Sequence, residues 1–131
     1  METLICGEII DFVPSFNAYL GDNGNLVFDE KGDSSLTVDT GFSGGIALPI
    51  KIIEKIGLEL VDIDTFRLAT GEIVELPVFL GKVIIKDFEI ETWFIPGDSL
   101  IGMEFLSSVG SLLSLDFEDS TIKLRGGNSR D

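Results

Sequence analysis

Turn signals interrupt this chain so often that a long helix has nowhere to form. Gly21-Asp22-Asn23-Gly24-Asn25, Asp39-Thr40-Gly41, Gly44-Gly45, Thr70-Gly71-Glu72, Pro96-Gly97-Asp98 and Glu118-Asp119-Ser120 punctuate it, and the runs between them are short and rich in Ile, Val, Leu, Phe and Thr. Gly, Pro, Asn and Asp favour tight reversals, while β-branched and aromatic residues favour the strands they join. The spacing predicts strands over residues 4–12, 16–20, 26–28 and 35–38, with Pro14 as a break between the first two. Residues 65–69 and 73–80 read as a hairpin tipped by Thr70-Gly71-Glu72, and Gly81 separates it from a run over 82–86. Phe88, Ile90, Thr92 and Phe94 alternate with Glu89, Glu91 and Trp93, a period-2 strand, and residues 112–117 and 121–124 form a last hairpin. Two short helices are expected. One covers 50–56, opened by Pro49 and closed by Gly57, with Ile50, Ile53 and Ile56 on one face; the other covers 103–109 and stops at Gly110.

Nine or ten short strands and two short helices predict an all-β barrel or sandwich. Residues 1–125 read as one domain and 126–131 as a disordered tail. A chain of 131 residues is long enough for a real core.

The charge balance narrows the partners. With 23 Asp and Glu against 9 Lys and Arg, the net charge is −14, which repels phosphate and predicts neither nucleic acid nor an anionic membrane as a partner. No apolar run approaches the length needed to span a bilayer, and Met1 to Cys6 has no basic stretch of a targeting signal, so a cytoplasmic location is expected.

The chain has no histidine. That excludes a Ser-His-Asp triad, a Cys-His pair and a His-Glu-x-x-His zinc site within the chain. Its single cysteine, Cys6, makes no internal disulfide and reads as a small core residue. No metal and no cofactor is expected, and in a catalyst without a cofactor the acid–base chemistry falls first to carboxylates, with Lys and Tyr as remoter options. Lys82 and Lys86 read as surface lysines, and Glu89 and Glu91 as one solvated strand face. Trp93 reads as a packed strand residue, with pocket lining as its functional alternative.

Asp39-Thr40-Gly41 is the candidate site. It follows the apolar run Leu36-Thr37-Val38, which delivers the carboxylate at the end of a buried strand; Thr40 adds a hydroxyl and Gly41 permits close backbone approach. By itself the triplet reads first as an ordinary turn closing a strand, with Asp accepting local N–H bonds. Its context says more. About sixty residues later comes Leu100-Ile101-Gly102, followed by the predicted helix, and between the two lies the Gly-tipped hairpin.

In that order and spacing the chain resembles the retropepsin-like aspartic proteases, over about residues 4–124. The resemblance implies a closed acid-protease barrel with Asp39 as the catalytic aspartate. It further implies that the Thr40 hydroxyl bonds across to a second chain and that the Gly41 carbonyl faces substrate. Ala69, Thr70, Gly71 and Glu72 would form a flap tip over bound peptide, and Leu100, Ile101 and Gly102 would cross near Asp39 and support its loop. The chain departs from the family at Phe42, where Ala or Ser is usual and where a ring either narrows a substrate subsite or anchors the loop. Ser43 and Met103 stand where many viral members place an Asp–Arg ion pair, and the flap lacks a double glycine.

Only one such motif is present, so the resemblance implies a C2 homodimer with one Asp39 from each copy. Two carboxylates brought together share a proton; the charged one activates water and the protonated one polarises the peptide carbonyl. The expected activity is aspartic endopeptidase cleavage of a peptide or protein held extended in a groove, with apolar side chains flanking the cut bond. The alternatives are a dimeric peptide- or protein-binding module that does not cut, and a structural domain of a larger complex.

Overall fold

The N-terminal apolar runs pair as a hairpin. In the computed structural model, which describes residues 1–127, β1 (Glu2–Ile10) and β2 (Val13–Leu20) run antiparallel with Ile10 opposite Val13. Asp11 and Phe12 alone make the turn, at φ 51° and 68°. Two successive left-handed residues are what a two-residue hairpin loop needs to match the strand twist. Pro14, expected to break the chain, lies inside β2 opposite Ile9. Ile9 sends its N–H to the Ser120 carbonyl (2.9 Å) rather than toward Pro14, so the pair is not a hydrogen-bonded one and the missing donor costs the β1–β2 ladder nothing.

The remaining elements are β3 (Leu26–Phe28), β4 (Ser34–Val38), β5 (Ile46–Leu48), α1 (Ile50–Ile53), β6 (Glu59–Arg67), β7 (Ile73–Ile85), β8 (Phe88–Pro96), β9 (Leu100–Ile101), α2 (Met103–Val109), β10 (Leu112–Asp116) and β11 (Thr121–Gly126). Among the described residues 57% are in strands and 9% in helices, so the chain is all-β. Seven strands close on themselves in the order β2-β3-β7-β8-β5-β9-β4, with β4 returning to β2 through Ser15↔Thr37 to Ala18↔Ser34. Closure satisfies backbone groups that an open sheet leaves at its edges. Outside the barrel, β1, β11 and β10 extend the sheet from β2, and β6 pairs with β7 as a projecting arm.

Period-2 alternation fills the interior. Phe16 and Ala18 of β2, Leu36 and Val38 of β4, Val83 and Ile85 of β7, and Ile122 and Leu124 of β11 all point into one buried cluster. Ile46, Phe94 and Ile101 join them from β5, β8 and β9, and α2 closes one end with Phe105, Leu106 and Val109. Phe105 stacks on Phe28 with ring centroids 5.4 Å apart.

The sequence expectations differ from this structure in several boundaries. Helix α1 stops at Ile53 rather than 56; beyond it the bonding is mixed, with the Lys55 N–H on the Ile52 carbonyl and the Ile56 N–H shared between the Ile52 and Ile53 carbonyls. β7 runs unbroken through Gly81, which pairs with Thr92 and is buried where its missing side chain makes room for Leu58. β6 begins six residues earlier than the expected 65. β11 extends to Gly126, held by pairing with Glu2. Residues 128–131 of the expected tail lie outside the described residues. Among the described residues, no helix is long and apolar enough to cross a membrane.

Candidate active site

Strand order positions Asp39. β9 lies between β4 and β5, parallel to the first (Val38↔Ile101) and antiparallel to the second (Ile46↔Ile101). The chain leaving β4 at Val38 must therefore loop over β9 before it rejoins the sheet at Ile46. Residues 39–45 are that loop, and Asp39 is its first residue. The Asp39 N–H donates to the Ile101 carbonyl (2.9 Å), and the Asp39 carbonyl accepts from Phe42 N–H (3.1 Å). The carboxylate Oδ1 accepts the Gly41 N–H (2.9 Å), a local Asx turn. No protein group among the described residues bonds Oδ2. Asp39 is half-buried, and Thr40 and Gly41 are exposed.

The same loop caps α2. That helix has no side-chain cap, and its first N–H groups would otherwise lack partners. Gly102 N–H donates to the Gly45 carbonyl (2.7 Å), Met103 N–H to Phe42 (2.8 Å) and Glu104 N–H to Gly44 (3.1 Å). Loop and helix thus hold each other in place. The contact is close enough that a Cβ at Gly102 would run into the Gly44 carbonyl oxygen and lie 2.8 Å from that of Phe42. Ile101 and Gly102 therefore stand directly against the Asp39 loop, while Leu100 pairs with Thr37 and Ala47 on either side of it.

Phe42 is half-buried. Its ring lies over the loop, 2.7 Å from where a Gly44 Cβ would be, and it lines a cleft. That cleft has a volume of about 520 Å³. It is lined by Phe42 to Gly45 of the loop, by Trp93 and Ile95 of β8, by Val61, Asp62, Asp64 and Phe66 of β6, by Val78 of β7 and by Glu104 of α2. Beyond a register shift in β6 between Leu60 and Asp62, period-2 alternation puts Asp62, Asp64 and Phe66 on one face.

The arm, rather than its tip, meets the loop. Ala69, Thr70, Gly71 and Glu72 are exposed and do not line the cleft. They close the β6–β7 hairpin through Leu68 N–H to the Glu72 carbonyl (2.8 Å) and Gly71 N–H to the Leu68 carbonyl (2.9 Å), with Gly71 at φ 89°, a conformation natural only to glycine. Sequence reasoning missed Asp62, Asp64, Phe66, Val78, Ile95 and Glu104. The only signals were the alternation of Asp62, Asp64 and Phe66, which carries no apolar period, and Trp93, whose pocket-lining reading matches its place in the cleft.

Other groups are structural. Burial and the adjoining Glu30 carboxylate push the Cys6 thiol upward, which keeps it protonated and a poor nucleophile. Lys82 pairs with Glu89 (3.6 Å) and Lys86 with Glu2 (2.7 Å) at the surface, and Glu91 is exposed. Among the described residues, no group of three or more His, Cys, Asp or Glu side chains is placed to hold a metal ion. Compared with protein-family models, with curated proteins and with solved structures, the chain matches none.

Proposed function

We propose that this chain is a retropepsin-like aspartic endopeptidase, working as a homodimer through Asp39 of each copy. One observation carries the reading: Asp39 is fixed by backbone bonds at the start of a loop locked between β4, β9 and α2, with one carboxylate oxygen free of protein partners. A rigid backbone and an uncommitted oxygen are what a carboxylate needs to act on water. In the paired state the charged Asp39 takes a proton from water, and the water oxygen attacks the peptide carbonyl. The protonated Asp39 stabilises the developing oxyanion and then protonates the departing amine. Thr40, exposed beside the site, is free to bond the second copy.

Cleavage of an unfolded protein at mildly acid pH tests this. Asp39→Asn is expected to lower the rate by about a hundredfold or more. Equal cleavage by wild type and variant, or a monomer at assay concentration that still cuts, overturns it. A second reading, a peptide-binding module without turnover, is favoured by the absence of both Asp39 and the hairpin tip from the cleft lining. It predicts peptide binding that Asp39→Asn leaves intact, with no product at any pH.

A further inference from the structure

The cleft beside the Asp39 loop is not the apolar groove that the family resemblance leads one to expect. Three carboxylates line it and no lysine or arginine does. Asp62 and Asp64 are two apart on β6 and so share a face, and Glu104 comes from the first turn of α2. The Oδ1 atoms of Asp62 and Asp64 accept the N–H of Ile63 and Thr65 (2.8 Å each), which orients both side chains and leaves each Oδ2 without a protein partner. None of the three is in an ion pair; the two surface pairs use Glu2 and Glu89 instead. Phe42, Phe66 and Trp93 line the same cleft.

Resting on the peptidase reading for what enters the cleft, we propose that it receives the cationic side chain, arginine or lysine, of a bound peptide. An apolar side chain there would strip water from three unpaired carboxylates and give nothing back. A small point cation is a poor fit, because the carboxylates do not converge into a metal-holding group. A long cationic side chain suits both features: its stem lies along aromatic and aliphatic wall, its head meets carboxylate, and a guanidinium also stacks on rings. The net charge of −14 draws such peptides in from a distance, and the cleft decides where the cation sits.

The test uses the full chain carrying Asp39→Asn, so that binding is read without turnover. Labelled extended peptides, matched except for arginine, lysine, citrulline or norleucine at each position in turn, are titrated and followed by fluorescence anisotropy. At one position the cationic peptides are expected to bind about tenfold or more tightly than their neutral counterparts. Adding Asp62→Asn, Asp64→Asn and Glu104→Gln should erase that preference, and Glu104→Gln alone should reduce it. The charge-matched set Glu91→Gln, Glu118→Gln and Asp119→Asn, away from the cleft, should keep it. Equal affinity for cationic and norleucine peptides, equal loss in both variant sets, or no peptide binding overturns the proposal. Wild-type cleavage of the same series separates the two readings. Turnover without a cation preference sinks this inference and leaves the peptidase standing; a cation preference without turnover does the reverse.

Discussion

Phe12 sits at φ 68° in the β1–β2 turn with 98% of its surface exposed. A bulky L-residue held in the left-handed region costs about 1–2 kcal/mol, and this ring gains nothing from packing in return. Glycine removes that cost at the expense of a more flexible unfolded chain. Phe12→Gly is therefore expected to stabilise the fold by about 0.5–1 kcal/mol in urea unfolding, without a change in m-value. Gly102 is the opposite case. Carbonyl oxygens of Gly44 and Phe42 occupy the space of its absent Cβ. Gly102→Ala should cost about 2 kcal/mol or more, read by the same unfolding measurement, because backbone on both sides must move. Cys6 gives a pH signature. Its thiol ionises above the ordinary 9.0 in the folded protein, so in alkali the unfolded chain holds fewer protons than the folded one and stability falls. The stability advantage of wild type over Cys6→Ala should shrink between about pH 8 and pH 10 in thermal unfolding; a constant difference would mean the thiol is equally free in both states.

Elements differ in how firmly they are held. The barrel strands are paired on both sides and bury Phe16, Leu36, Ile46, Val83 and Phe94 completely. β6 has one partner, β7, and eight of its nine residues are exposed, including Leu60 and Ile63. Little apolar contact and one-sided hydrogen bonding give low local stability. Amides of residues 59–72 should exchange with solvent well before those of β7 and β8 over 83–94, read by hydrogen-exchange mass spectrometry. Equal protection of the two segments would mean that another surface covers the arm. The arm supplies Asp62 and Asp64 to the cleft, so local opening of the arm would change the shape of the cleft as well. The loop opposite it is rigid by contrast, because α2 takes its missing cap from that loop's carbonyls.

At the scale of the molecule, charge opposes the proposed assembly. Each copy carries −14, so bringing two together at neutral pH costs electrostatic work that salt screens and acid removes. Dimerisation is expected to tighten with added salt and on mild acidification, measured by analytical ultracentrifugation. Affinity indifferent to both would show that the interface is dominated by apolar contact or avoids the acidic surface.

The sequence by itself determined the class of the fold and the place of the loop. Frequent turn residues limit every element's length, period-2 runs such as Phe16 and Ala18 or Ile122 and Leu124 mark one buried face, and the helix at Met103–Val109 has the expected bounds. Those are local properties, written in neighbouring residues. Tertiary structure decided what is non-local. Pro14 stays in a strand because Ile9 bonds Ser120, a residue more than a hundred positions away. Gly81 is a strand residue because Leu58 fills the space over it. Asp62 and Asp64 of β6 and Glu104 of α2 come to line one cleft only through the strand order that brings those two elements to it. No short-range pattern encodes such a meeting, since it depends on the strand order of the whole barrel rather than on any residue's neighbours along the chain.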